Sequence, residues 1–332
     1  FKTFPLSQVL RNTYEKLGVM LVLPYSILVA IGLSKIPLRI IRTAIVFLIC
    51  FILLRPLWTG QVFTGYQIEV PTTYKHVNNY LNRFGNLRLL QLPFLHGSGL
   101  SYSWGYAGDE PSEFLFDRPS ISKTYNFPGD PHELIYLYLR NNNVYRLFQF
   151  LAIDTIVLHR DILPGASFQE NYEGSKSLVE KMDNIYLDKT FDNLDIYRLK
   201  SHLYANWGYL SNRVYLKRSL SDGFNSVIND NSFNVSSDSF VLNKNDFSRL
   251  SGELPNYSMQ KLSPVHYQFS VNGVKNSFVL ILSVTFNNAW EAKINDKKIV
   301  SHFLINGFAN GWLIDQKGDY IIDLIFKTWP WE

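Results

Sequence analysis

The sequence predicts an α+β multidomain membrane protein, with two transmembrane helices leading into a small α/β domain and then an all-β sandwich. Three observations predict it. Two strongly apolar runs fall in the first sixth of the 332 residues, strand and helix patterns alternate through the middle, and from Ser201 short alternating strands bounded by Asn, Asp, Gly and Ser take over. One hydrophobic core rarely organises a chain this long. The expected bounds are 1–60 for an interfacial segment and the two helices, 61–200 for an extracytoplasmic α/β domain, and 201–332 for a carbohydrate-binding-like sandwich.

The first run, Leu17–Leu33, carries no charge, and the second, Thr43–Trp58, is broken only by Arg55 near its end. A bilayer core asks for about 20 residues, so each run must recruit flanking residues or sit within a larger bundle, and Arg55 can snorkel to the interface. The competing reading is a pair of buried helices in a soluble core. Charge favours the membrane: the connecting loop Ser34–Arg42 holds Lys35, Arg39 and Arg42 and no acid, the mark of a cytoplasmic loop. The remainder is then extracytoplasmic and the expected location is the cell membrane, multi-pass. Arg11 and Lys16 stand on the opposite side of the first helix and oppose this orientation. The segment Pro5–Lys16 has one apolar helical face and suits the interface plane, in contact with membrane lipid. The chain opens Phe1-Lys2-Thr3-Phe4-Pro5, which is no signal peptide, so the natural start is expected upstream.

Charge also narrows the function. Residues 1–60 hold 7 of the 32 basic and 1 of the 28 acidic side chains, which leaves 25 basic against 27 acidic for residues 61–332. A folded part with that balance lacks the basic face that phosphate backbones require, so nucleic acid is not an expected partner. Cys50 is the single cysteine, so no intramolecular disulfide can form. His76, His96, His132, His159, His202, His266 and His302 show no metal-ligand spacing, and neither a metal nor a cofactor is expected.

Between 61 and 200 the clearest strands are Leu87–Leu92, Thr155–His159 and Asp195–Leu199, and helical spacing appears at Tyr74–Phe84, His132–Leu139 and Val144–Ala152. The long loop Phe94–Gly108 is rich in Gly, Ser and aromatic residues, and loops of this length tend to be functional or disordered. Tyr102, Trp104, Tyr106, Asp109 and Glu110 could form a sugar-facing surface there; packing of the aromatic rings onto the sheet is the alternative. Asp109 and Glu110 make a poor catalytic pair, because adjacent carboxylates point apart and glycoside hydrolysis needs two that face each other. No catalytic residue is therefore assigned. His96-Gly97-Ser98-Gly99 lacks the lysine of a P-loop. His159-Arg160-Asp161 has the letters of a kinase catalytic loop without its Gly-rich loop or strand lysine, and reads as a strand-end ion pair.

Beyond Ser201 the expected strands are Tyr267–Val271, Phe278–Phe286, Trp290–Ile294, His302–Ile305 and Tyr320–Phe326, joined by turns such as Asn272-Gly273, Asn295-Asp296 and Lys317-Gly318. Asp222–Ser239 reads as a flexible polar insertion. Trp290, His302, Asn306, Asn310 and Trp312 combine flat aromatic faces with amide and imidazole groups, the chemistry of sugar binding, while tryptophans filling the sandwich core are the alternative.

Several segments carry a family resemblance: Arg55-Pro56-Leu57-Trp58-Thr59-Gly60, Val70-Pro71, Arg88–Pro93 (RLLQLP), Tyr102–Gly108 (YSWGYAG), Phe150–Asp161 (FLAIDTIVLHRD), Ser263–Phe269 (SPVHYQF), Asn287–Ala292 (NNAWEA) and His302–Trp312 (HFLINGFANGW). Together they resemble the C-terminal portion of bacterial multi-pass membrane glycosyltransferases of the GT-C class, the arabinofuranosyltransferase-like proteins and their relatives. The resemblance implies a parent that uses a polyprenyl-phosphate sugar donor and a glycan acceptor at the outer face of the membrane. It implies that this chain is an extracytoplasmic accessory region, itself non-catalytic, since that class keeps its catalytic carboxylate in an outer loop near the start of its membrane domain. The alternative is a non-catalytic, membrane-anchored scaffold or assembly protein of the cell envelope. A stand-alone hydrolase is disfavoured, as no nucleophile elbow, metal cluster or facing carboxylate pair can be made out.

Overall fold

The computed structural model describes residues 13–55, 59, 68–85, 87–96, 99–109, 111–124, 131–163, 171–200, 207–243, 247, 250 and 252–327. The chain divides into two units, Phe1–Gln67 and Ile68–Glu332.

In the first unit, α1 spans Thr13–Ser34 and α2 spans Arg39–Leu53. Pro37 falls in the short link between them, where its missing N–H and fixed φ suit a break between helices. Among the described residues no helix is long and apolar enough to cross a membrane, which overturns the expectation of two transmembrane helices. α2, at 15 residues, is about 22 Å of helix against a hydrocarbon core of about 30 Å. Neither is the alternative of a buried helix pair observed: α2 buries no residue, and Leu23, Phe47 and Leu53 are 67%, 72% and 72% exposed.

The second unit begins with α3, Thr72–Leu81, and a mixed five-stranded sheet. Its strands are β1 (Arg88–His96), β4 (Ser120–Thr124), β5 (Ile153–His159), β6 (Ile185–Phe191) and β7 (Leu194–Leu199). The order is β4-β1-β5-β7-β6, with β4, β1 and β5 parallel and β7 and β6 antiparallel to their neighbours. The period-2 rule assigns the two faces. Leu89, Val157 and Ile196 meet Tyr74, Val77 and Leu81 of α3, while Leu90, Ile156, Leu158 and Tyr197 meet helices on the other side. Those helices are α5 (Pro131–Tyr138), α6 (Val144–Phe150) and α7 (Tyr172–Glu180); the single turn α4 (Ser112–Leu115) precedes β4, and the two-residue strands β2 (Leu100–Ser101) and β3 (Ala107–Gly108) follow β1. Every residue of β5 is buried, as befits a central strand covered on both faces.

Asp222–Ser239 is not the flexible insertion its composition suggests. Leu220–Asn229 forms α8, capped by Ser219 Oγ accepting from Asp222 N at 3.1 Å, and Asp238–Val241 is strand β10, paired in parallel with β9 (Arg213–Leu216). Phe224, Val227, Ile228, Phe233 and Phe240 join the core beneath α6. Gly223 permits the closeness, since a Cβ there would lie 2.3 Å from Phe240 Cζ. The polar residues occupy one side of a helix whose other side is apolar, a pattern that a count of Asn and Ser hides.

The remaining strands build two antiparallel sheets. One has the order β11-β12-β18-β14-β15, from Asn256–Ser263, His266–Val274, Gly318–Phe326, Trp290–Ile294 and Lys297–Lys298. The other has the order β16-β17-β13-β8, from His302–Ile305, Ala309–Ile314, Phe278–Leu282 and Gly208–Ser211. Phe269, Val271, Ile322 and Leu324 of the first share one core with Leu280, Leu282 and Trp312 of the second.

Candidate functional site

The long aromatic loop leaves the carboxyl end of β1 and folds over the carboxyl end of β5. Open parallel sheets commonly place their ligands at such ends. The tiny hairpin β2-β3 shapes the loop, with Tyr102 N donating to Tyr106 O at 2.8 Å and Gly105 holding a φ of +96° at its tip. Ser103 N donates to Asp161 O at 2.7 Å and Leu163 N to Ser101 O at 2.8 Å, which ties the hairpin to the segment that follows β5.

Three rings pack against one another, tilted, along this loop. Centroids of Tyr102 and Trp104 lie 4.9 Å apart at 32°, and those of Trp104 and Tyr106 lie 5.6 Å apart at 30°. Tyr102 is buried, Trp104 and Tyr106 are half-buried, and Asp109 beside them is exposed. Tyr106 Oη donates to the Asp109 carbonyl at 2.6 Å. Glu110, expected in the same surface, lies outside the described residues.

Beneath the rings a buried polar cluster fixes their position. The Asp161 carboxylate accepts from Tyr74 Oη at 2.7 Å and from Trp104 Nε1 at 3.1 Å, with His159 Nδ1 at 3.4 Å. His159 Nε2 lies 2.6 Å from Gln91 Oε1 on the neighbouring strand. Burial acts to raise the Asp161 pKa, but the hydrogen bond and charge of His159 and the hydroxyl of Tyr74 outweigh it and hold the carboxyl below the usual range. The Tyr74 phenol, buried beside that carboxylate, is pushed far above its ordinary value. Tyr74 and Trp104 both donate to Asp161 Oδ2, while Oδ1 is buried without a hydrogen-bond partner and faces His159 Nδ1, so the carboxylate anchors the indole through one oxygen. His159-Arg160-Asp161 resolves into two separate contacts, His159 against Asp161 and an ion pair of Arg160 with Asp195. Arg160 grips Asp195, with Nη2 at 2.7 and 2.8 Å from the two carboxylate oxygens, while Tyr172 and Thr190 each donate to Asp195 at 2.7 Å.

These carboxylates give the fold an acid limit. A carboxyl whose folded pKa is depressed contributes stability that is present above the unfolded value of about 3.9 and is lost as pH falls through the folded value. Asp161 and Asp195 are both depressed; at Asp195, burial is outweighed by the hydrogen bonds of Arg160, Tyr172 and Thr190. Urea midpoints measured from about pH 6 to about pH 3 should fall steeply below about pH 4, and Asp161→Asn should flatten the fall. An unchanged slope in that variant would show that Asp161 carries no such linkage.

The second group of candidates has a different setting. Trp290 is 6% exposed between Tyr267 and Phe326, and Asn306, Asn310 and Trp312 are fully buried. His302 stacks on Trp312 at 4.7 Å and 9°, and its Nε2 lies 3.0 Å from Asn310 Oδ1. Asn310 Nδ2 donates to the carbonyls of Val284 and Thr285. Asn306 stands at φ +57°, its side chain accepting from Phe240 N at 3.0 Å and donating to Tyr209 Oη at 2.9 Å. Their amides satisfy the sandwich backbone, and the ring faces of Trp312 are covered.

The sequence left Tyr74, Gln91, His159 and Asp161 unassigned as partners of the loop. Tyr74 and Asp161 stand 87 residues apart, beyond the reach of any spacing rule. The one local signal is Gln91, a polar residue set between the apolar pairs Leu89-Leu90 and Leu92-Pro93 of its strand. Among the described residues no three His, Cys, Asp or Glu side chains come together as a metal site.

No protein-family model and no curated protein sequence matches the chain. It is similar to a solved structure of arabinofuranosyltransferase AftD from Mycobacteria, at 11% identity and a TM-score of 0.39, over 89% of this chain and 33% of that one. Two structures of a mutant of that enzyme give TM-scores of 0.38 and 0.35 at 11% identity, over 86% and 88% of this chain and 33% and 34% of theirs. The chain spans about a third of the length of those proteins.

Proposed function

We propose that the chain is an extracytoplasmic, non-catalytic region of a cell-envelope glycosyltransferase, and that its aromatic loop contacts glycan. The observation that carries this reading is the row of tilted rings Tyr102, Trp104 and Tyr106, with two rings half-exposed beside the exposed Asp109 and a buried carboxylate anchoring the indole. Flat, pre-ordered rings with a polar neighbour meet the apolar face and the hydroxyls of a sugar at little cost in ordering. The sequence resemblance to the GT-C class supports a longer parent protein that supplies the catalytic carboxylate, the polyprenyl-phosphate sugar donor and the glycan acceptor. The exposed apolar side chains of α1 and α2 support association of that parent with the cell membrane.

The buried state of Trp290 and Trp312 favours a second reading for the sandwich alone, that of an envelope scaffold whose aromatic residues serve packing. One experiment separates the two. The full chain is titrated with a panel of cell-envelope oligosaccharides, alongside Trp104→Ala with its melting temperature checked. Saturable binding that weakens about tenfold, or about 1.4 kcal/mol, in a folded Trp104→Ala is the expected result. Absence of binding by the folded wild type leaves the scaffold reading for the whole unit.

A further inference from the structure

A cleft of about 730 Å³ opens elsewhere in the second unit, lined from the first sheet by Arg88 and Ile121 and from the sandwich by Lys261, Tyr267, Phe286 and Phe308. Its volume lies within the range of about 300–1,000 Å³ typical of small-molecule sites. The charge of its walls is one-sided: among the described residues no aspartate or glutamate lines it.

Lys261 is the unusual member. It sits on edge strand β11, where exposed and half-buried residues alternate, and it continues the inward row of Tyr257 and Met259. Its ammonium lies 5.6 Å from the Trp207 ring and 5.9 Å from the Tyr267 ring, with no carboxylate partner among the described residues. Burial pulls its pKa below the ordinary lysine value. Arg88 adds a second cation, its guanidinium 4.5 Å from the Trp207 ring and donating to the carbonyls of Leu151 and Ser283 instead of to an acid. Two cations held near aromatic rings without a counter-charge make a site that an anion would complete.

Phe286 and Phe308, both half-buried, supply ring faces beside these cations, and Phe286 N donates to Phe308 O at 2.7 Å, which fixes one against the other. Thr285 on the lining carries a hydroxyl. We propose that this cleft binds a saccharide carrying an acidic group, phosphate or carboxylate, with the acid on Lys261 and the ring against Phe286 and Phe308. This ligand site does not depend on the aromatic loop, and Trp104→Ala leaves it intact.

Calorimetric titration of the full chain tests it with glucose 1-phosphate, glucuronate and the neutral methyl glucoside. At least one acid should bind saturably, with methyl glucoside at least tenfold weaker, and the better acid identifies the group as phosphate or carboxylate. Lys261→Met, which keeps the apolar stem, should weaken the acid at least tenfold at an unchanged melting temperature. Lys261→Gln, a polar replacement at the same place, should do the same if the methionine variant misfolds. Equal binding of methyl glucoside, no saturable binding of either acid by the folded wild type, or unchanged affinity in both lysine variants would overturn the proposal. Lys261 would then be an inward-facing charge that guards an edge strand against pairing.

Discussion

Replacing Arg118 with methionine is expected to cost the folded chain about 3–5 kcal/mol, because it strands the Asp154 carboxylate in the interior. Both side chains of this pair are shielded from solvent, at 1% and 0% exposure. Arg118 Nη2 donates to Asp154 Oδ1, Nε donates to Leu87 O at 2.7 Å, and Nη1 lies 3.4 Å from Thr155 Oγ1. The guanidinium thus joins the residue before β1 to the start of β5, two parallel strands with no direct turn between them. Thr155 Oγ1 continues to donate to Asp154 Oδ1 at 2.7 Å in the variant, but one hydroxyl cannot offset a buried charge. The double replacement Arg118→Met with Asp154→Leu should recover most of the loss, since an apolar pair in place of a buried ion pair is often neutral or better. Urea unfolding of the wild type and both variants reads this directly. A loss below about 1 kcal/mol in the single variant would mean that water reaches Asp154 and that the pair is not a buried one.

Trp312→Ala should be of similar size, about 3–5 kcal/mol, as expected for removing a fully buried aromatic side chain and leaving a cavity. Trp312 stands on β17 opposite Leu280 of β13 and His302 of β16, so its indole supports both neighbouring strands. Its Nε1 has no hydrogen-bond partner, so packing and not a lost bond sets the cost. A second readout comes from the stacked imidazole. Burial lowers the pKa of His302, the more so because Lys298 lies near, although the bond to Asn310 opposes this. Opening the cavity should let that pKa climb toward about 6.5, measured by NMR titration of the folded variant. If the alanine variant were as stable as the wild type, the tryptophan would be available to a ligand after all.

These outcomes bear on how far the sequence could be read. Trp290–Ile294 and His302–Ile305 were legible to the residue as strands, the first because apolar and polar side chains alternate along it, the second as a short apolar run ended by the turn residues Asn306-Gly307. Asn295 and Asp296, read as a turn, stand at φ +48° and +63° between β14 and β15. Ala309–Ile314 was not legible, since Asn310 and Gly311 look like turn residues. They belong to a strand because a Cβ at Gly311 would approach Phe303 Cε2 to 2.9 Å, so the missing side chain is what lets a neighbouring ring pack across. Asn256–Ser263 was hidden by Lys261, a charge at an inward position.

The sequence by itself determined the apolar helices at the start, the central strands β1, β5 and β7, and the aromatic character of the loop after β1. Each is written in a local period of apolar residues or in turn chemistry that a few neighbours enforce. The structure decided that no helix among the described residues is long and apolar enough to cross a membrane, that Trp312, Asn306 and Asn310 are interior, that residues 220–241 fold onto the first sheet, and that Tyr74, His159 and Asp161 meet beneath Trp104. The physical reason is that burial and pairing depend on which distant strand or helix closes over a residue, and one-dimensional spacing carries no record of that partner.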